Sequence, residues 1–260
     1  MRIIKQIIIS FSLYSRIPMP IFEWDGDDMH HAITFLPLIG LVIGGVSLGV
    51  YKLCALANIP ELVRVLTLSL VPLVITGGFH MDGFMDVSDA LHSYQSKEKK
   101  LEIMKDPHIG AFSVISLLIY GMIWVAALYT VIYKAIGAGD TKLISIYALF
   151  FFVARTICGL TSICFEKAKK DGMLQTEAGQ SSFRDKMLLV IQTIIGSLGI
   201  MYFRPILGVL VIIGLFIYTL IYKYMCDKEF GGVTGDTAGF FVAVSEEVML
   251  VILAIGSILL

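Results

Sequence analysis

Three aspartates, Asp82, Asp86 and Asp89, follow one another at i, i+4 and i+7 within Gly77–Gly110, GGFHMDGFMDVSDALHSYQSKEKKLEIMKDPHIG. On a regular helix they sit at about 0°, 40° and −20° around the axis, so all three carboxylates line one narrow face. Like charges that close raise one another's pKa unless a cation joins them. An all-oxygen donor set suits a hard divalent ion. Mg²⁺ takes a few carboxylates and completes its shell with water and substrate phosphate. The plainer reading is a solvated acidic helix start, favoured by the helix dipole, but solvation alone does not require that registration.

Other residues of the same stretch carry chemistry more weakly. His80 is a candidate general base, phosphate donor or orienting group, against the plainer reading of an interfacial histidine. Gly77 and Gly78 allow close backbone approach or a helix break, with freed amides turned to phosphate. Lys105 and Asp106 stand in KDPHIG, after a basic segment that is either a positive-inside signal or a nucleotide contact. A second constellation, Gly231-Gly232-Val233-Thr234-Gly235-Asp236, offers Gly232, Thr234 and Gly235 for phosphate approach and Asp236 as a further carboxylate. Its plainer reading is a turn into a helix with Asp236 as N-cap. Arg155, Glu246 and Glu247 fall inside apolar runs, where a charge costs about 2.5–3.5 kcal/mol. Arg155 is therefore expected to pair with Glu246 or Glu247, or to line a polar cavity with them that receives the substrate's polar part.

These groups must be positioned by membrane helices. The chain is 57% hydrophobic and 16% charged, against about 25% charged in soluble domains, and its mean hydropathy is +0.84. Runs longer than the roughly 20 residues that cross a bilayer, without strand-like alternation, predict an all-α polytopic membrane protein. It forms a single integral-membrane catalytic domain over 1–260. Residues 2–13 are short, apolar and basic, as in an interfacial helix. Seven spans are expected at about 32–57, 62–79, 110–136, 143–165, 187–203, 205–225 and 237–260. The 187–203 segment is short, and Pro205 makes it a tight hairpin with its successor. A six-span version inserts one of those two only partly. The four cysteines lack metal-ligand spacing, and no small-residue cleavage site marks a removed signal peptide.

With seven spans, fourteen Lys and Arg residues fall on the side of Arg2, Arg16, Lys97–Lys105, Lys167–Lys170, Arg184, Lys186, Lys223 and Lys228. Five fall on the other side, and Arg155 lies within a span. The richer side is expected to face the cytoplasm. Every long polar connection (14–31, 80–109, 166–186 and 226–236) lies on that side. One elaborated face suits an enzyme acting on cytosolic substrates, whereas a transporter needs access from both. No internal repeat is visible, which also weighs against an inverted-repeat transporter.

Several separate motifs, in order and spacing, resemble the cobalamin synthase family, the adenosylcobinamide-GDP ribazoletransferases. They are FSLYSRIPMP, FLPLIGLVIG from Phe35 to Gly44, GGFHMDGFMDVSDAL, KLEIMKDPHIGAFSV, GGVTGDTAGF and VSEE. The resemblance covers nearly the whole chain. It implies an integral protein of the cytoplasmic (inner) membrane that needs Mg²⁺. In the implied reaction a hydroxyl of α-ribazole, or of its 5′-phosphate, attacks adenosylcobinamide-GDP, giving adenosylcobalamin or its phosphate and GMP. Asp82 and Asp86 are then expected to bind Mg²⁺, with Asp89 completing the site or acting as general base. His80 orients or protonates, and Gly235 and Asp236 complete the phosphate or metal site from the other side. The lipid bilayer is a partner and nucleic acid is not. Contacts with other corrinoid-assembly enzymes and with a second copy of the chain are left open.

Two alternatives remain. A CDP-alcohol phosphotransferase also clusters aspartates, in the order Asp-x2-Asp-Gly-x2-Ala-Arg. Here the order is Asp82-Gly83-x2-Asp86-x2-Asp89, with no Ala-Arg at that spacing. A divalent-cation transporter would use Asp82, Asp86, Glu246 and Glu247 as an ion path.

Overall fold

The computed structural model describes residues 2–24, 26–168, 173–178 and 181–260. Lys169 and Lys170, counted above among the basic residues, lie outside them. The described chain is helical throughout: α1 (Arg2–Tyr14), α2 (Gly26–Met29), a 3₁₀ turn (Ala32–Phe35), α3 (Leu36–Leu56), α4 (Glu61–Thr76), α5 (Phe79–His92), α6 (Lys97–Ile103), α7 (Ala111–Gly137), α8 (Lys142–Cys164), α9 (Met173–Ala178), α10 (Phe183–Phe203), α11 (Pro205–Glu229) and α12 (Gly235–Leu259). The all-α polytopic architecture is as the sequence predicts. Among the described residues six segments are long and apolar enough to cross a membrane: Ala32–Leu56, α7, α8, α10, α11 and α12. Backbone amides in hydrocarbon have no water to bond, so such segments close their hydrogen bonds within the helix. Helix α8 is the central one, with most of its surface buried, while α10 and α11 expose apolar side chains along much of their length.

The doubtful span is not the one expected. The predicted 187–203 segment is a full helix of 21 residues. Its first turn was obscured by the charges at 184–186, where Ser182 and Asp185 form a capping box. The short element is α4, 16 residues or about 24 Å, against a hydrocarbon core of about 30 Å. Gly77 (φ 65°) and Gly78 (φ 80°) then turn the chain by 93° into α5. Both are left-handed, which costs glycine nothing. The Gly77 and Gly78 amides both donate to the Leu73 carbonyl, capping α4. Beyond this bend α5 packs against α12 and α7.

The connections sort to two ends. At one, Asp140 before α8 pairs with Arg204 before α11. At the other, α1 packs beside the 3₁₀ turn and the start of α3. There the Arg16 amide donates to Ile75 O at 2.7 Å. Helix α6 is tied to the end of α11 by Lys100 Nζ to Glu229 at 2.5 Å and by Lys97 Nζ to Asp227 O at 2.9 Å. All the longer connections meet at this second end.

Candidate active site

The site is built by the crossing of α5 and α12. Each helix brings a Gly-Phe pair to it, Gly83-Phe84 and Gly239-Phe240. A Cβ on Gly239 would lie 3.1 Å from His80 O, and one on Gly83 only 2.6 Å from Asp236 O. The two phenylalanine rings stack beside the crossing, with centroids 5.5 Å apart, an arrangement worth about 0.5–1.5 kcal/mol beyond burial. Backbone contact at this point brings the first turn of α12, with Asp236, against the carboxylate face of α5.

Four aspartates therefore share one neighbourhood. Asp82 is exposed, and Asp86, Asp89 and Asp236 are half-buried. Burial, then the carboxylates of Asp82, Asp236 and Asp89, push the Asp86 carboxyl up to about 6. Asp89 has a second engagement. It accepts from the Gly110 amide at 2.7 Å, the Ser113 amide at 2.9 Å and the Ser113 hydroxyl. It thus caps α7 while facing Asp86. Among the described residues no three Asp, Glu, His or Cys side chains converge closely enough to hold an ion alone. The donor set still fits Mg²⁺, an ion that retains water and takes oxygens from a substrate phosphate. It is all oxygen, and the carboxylates already raise the proton affinity of Asp86.

An open cavity of about 950 Å³ adjoins this face, with Asp82, Gly77, Gly78 and Arg16 in its wall. The Arg16 side chain lies across Gly77, its Nε 2.4 Å from where a Cβ would stand. In the sequence Arg16 stands out only as a topogenic charge and as part of the FSLYSRIPMP segment. What gives it a site position is the glycine at 77, a long-range contact that no local pattern signals. Gly77 and Gly78 do line the cavity, but their amides cap α4 and do not turn to a ligand.

The structure does not bring His80 to the aspartates. Two residues from Asp82, it faces the opposite side of α5, buried against Tyr14. There it lines an inner cavity of about 160 Å³ with Tyr120, Trp124, Arg155 and Glu246. Arg155 Nη1 meets Glu246 Oε1 at 2.5 Å, both residues almost fully buried, so the expected pairing is present, in the wall of a cavity that is mostly apolar and not the polar one expected. The aromatic pair Tyr120 and Trp124, at i and i+4 on α7, was missed, because aromatic residues are spread too evenly along the sequence to stand out.

The Gly231–Asp236 loop is more occupied than its composition implied. The Gly232 amide donates to Cys226 O at 3.0 Å, Val233 N to Glu166 O at 2.8 Å, and Thr234 N to Thr237 Oγ1 at 2.8 Å. Thr234, with Thr237, is the N-cap of α12, which corrects the reading of Asp236 as the cap. Asp236 follows in the first turn of α12, near enough for its charge to act on Asp86, and Gly235 is exposed beside it. Lys105 and Asp106 are exposed, and Asp106 is engaged locally by the His108 amide at 3.0 Å and the His108 ring at 2.6 Å. No contact joins either to the aspartates among the described residues.

Glu177 on α9 also closes this end of the molecule. It is buried, hydrogen-bonded by the Tyr14 hydroxyl, and its carboxyl is pushed up to about 7 by burial.

A family model described as cobalamin-5-phosphate synthase matches residues 6–254. Among curated relatives, an adenosylcobinamide-GDP ribazoletransferase of Lachnoclostridium phytofermentans is 38% identical over 95% of this chain and 92% of its own. One of Clostridium botulinum is 34% identical over 95% of each, and one of Listeria monocytogenes 30% identical over 90% of this chain and 91% of its own. No solved structure matches the chain.

Proposed function

Because the chain belongs to the cobalamin-5-phosphate synthase family, it is a transferase of cobalamin nucleotide-loop assembly, and we propose that the facing surfaces of α5 and α12 are where it joins adenosylcobinamide-GDP to α-ribazole or α-ribazole 5′-phosphate. A ribazole hydroxyl forms a bond to the cobinamide-linked phosphorus. The bond from that phosphorus to the bridging oxygen breaks, GMP leaves with that oxygen, and the hydroxyl proton is lost. Adenosylcobalamin or its 5′-phosphate results.

The observation that carries this reading is the meeting of four carboxylates from two helices, of which Asp82 lies in the wall of a large open cavity. Asp82, Asp86 and Asp236 would hold Mg²⁺, which supplies neutralisation of the departing phosphate's charge. Asp89 acts as a positioning residue, since its oxygens already hold the start of α7. Arg16 faces the same cavity and binds the pyrophosphate as a fixed cation. Gly77 and Gly78 give the cavity a wall without side chains, and Gly235 lets substrate approach the first turn of α12. His80, Arg155 and Glu246 belong to the inner cavity behind that wall. The site faces the cytoplasm of the cytoplasmic (inner) membrane, supported by the fourteen-to-five division of Lys and Arg between the two sides in the sequence.

The test is GMP release by purified protein given adenosylcobinamide-GDP, α-ribazole and Mg²⁺. Release that depends on all three is expected. Divalent-cation uptake by protein-loaded vesicles, without GMP release, would instead establish the transporter.

A further inference from the structure

The inner cavity has a composition that the phosphoryl-transfer chemistry does not use. Resting on the reading of the carboxylate site just given, we propose that this cavity is the slot for the benzimidazole base of the ribazole substrate.

Its size sets the first limit. At about 160 Å³ it is close to the roughly 150 Å³ apolar cavity that admits benzene. One flat ring system fits, and a corrin macrocycle does not. Its walls set the second. Tyr120 and Trp124 stack on one another at 5.8 Å along α7, and His80 stands across from them on α5. Flat aromatic walls favour a flat aromatic guest by stacking.

Its polar groups set the third. His80 Nδ1, Trp124 Nε1 and Arg155 Nε are buried with no hydrogen-bond partner among the described residues. The indole and guanidinium nitrogens can only donate, and a buried donor left unmade is costly. Glu246, in the same lining, accepts from Arg155 through Oε1. The rest of the lining is mostly apolar, so the cavity suits a guest that is mostly hydrocarbon. A dimethylated benzimidazole riboside is such a guest, since its only free polar ring atom is the nitrogen not bonded to the sugar. Guanine, the other flat base in the reaction, carries more polar edge atoms than this mostly apolar lining suits.

Its place sets the fourth. Leu73, Thr76, Met81 and Leu117 line both the inner cavity and the open one that holds Asp82 and Arg16. A base inserted past Met81 leaves its ribose at the carboxylate face, where the attacking hydroxyl is needed.

Trp24 and Trp124 are the two tryptophans of the chain, so Trp24→Phe leaves Trp124 as the sole emitter. In that protein α-ribazole should change the emission saturably, and GDP should not. A side chain can be sent into the cavity at Gly121, where a Cβ meets nothing within 4 Å. Gly121→Leu should abolish the emission change and raise KM for α-ribazole about tenfold or more, with KM for adenosylcobinamide-GDP within about twofold of the parent. Gly137→Leu, at the exposed end of the same helix, is the control and should change neither. A response to GDP in place of α-ribazole overturns the assignment, as does a Gly121→Leu protein whose KM for α-ribazole is unchanged. Saturable, Gly121-dependent ribazole binding in a protein that releases no GMP would instead overturn the carboxylate-site reading and leave the slot standing.

Discussion

Gly83 and Asp236 meet backbone to backbone: a single Cβ added to Gly83 would lie 2.6 Å from the Asp236 carbonyl oxygen. Neither residue is near the other in sequence, yet this contact sets how close the acidic turn of α12 comes to the acidic face of α5. Gly83→Ala must push the helices apart, since the obstacle is main chain and cannot rotate away. Overpacking of this kind costs about 1–3 kcal/mol, and displacing a catalytic group by about 1 Å costs roughly 10²-fold in rate. GMP release in Gly83→Ala should therefore fall by about that factor, with the protein still recovered folded from membranes. Full activity would show that the crossing tolerates expansion and that Asp236 is not part of the site.

The carboxylates themselves give a sharper test. Asp82→Asn keeps size and hydrogen-bonding shape but removes charge from the exposed member of the cluster. Turnover should drop roughly a hundredfold or more while thermal unfolding in detergent is unchanged. Chelation of divalent ions should stop the parent enzyme, and Mg²⁺ should restore it. Normal turnover of Asp82→Asn at saturating Mg²⁺ would remove Asp82 from the metal site.

Asp89 should behave differently from its neighbours. Its oxygens hold the Gly110 and Ser113 amides, so Asp89→Ala leaves the first turn of α7 uncapped, at about 0.5–2 kcal/mol. Asp89→Asn keeps one acceptor oxygen and should recover part of that loss. Measured by thermal unfolding, Ala should be the less stable of the two. If both melt like the parent and only turnover is lost, Asp89 is a catalytic group and not a positioning one.

How much of this was visible in the chain follows from what each feature depends on. The spans and the registration of Asp82, Asp86 and Asp89 were legible because both rest on local periodicity. The Arg155–Glu246 pair was legible because an unpaired charge in hydrocarbon is so costly that a partner had to exist. The second commitment of Asp89 was not, since it needs the loop at Gly110 to fold back over 21 residues. Nor was the weak span. Gly77-Gly78 reads as neutral in a hydropathy window, and only positive φ at both positions reveals a right-angled turn. His80 was grouped with the aspartates because it is adjacent in sequence, whereas two residues along a helix separate side chains by about 200°.

The buried pair makes its own prediction. Glu246→Ala leaves the Arg155 guanidinium charged among apolar side chains, and breaking such a pair costs about 3–5 kcal/mol. Replacing both with methionine removes the uncompensated charge along with the pair, so the double variant should unfold at a higher temperature than Glu246→Ala. A double variant no more stable than the single one would show that the two side chains are not coupled.

Glu177 links folding of this end of the molecule to pH. Burial raises its carboxyl from the ordinary 4.5 to about 7 in the folded state, although the Tyr14 hydroxyl bond opposes the shift. A raised folded pKa means that the folded state holds the proton more tightly than the unfolded state. The stabilisation is therefore complete below about 4.5 and is lost as pH rises through about 7. Helix α9 should be well docked on Tyr14 at acidic pH and loosen above neutrality. Amide exchange of 173–178 should accordingly quicken between pH 6 and 8 by more than the intrinsic pH dependence of exchange. Glu177→Gln, neutral at every pH and still able to accept from Tyr14, should abolish that excess. If exchange in parent and variant follows the same pH curve, the Glu177 carboxyl is not what couples α9 to pH.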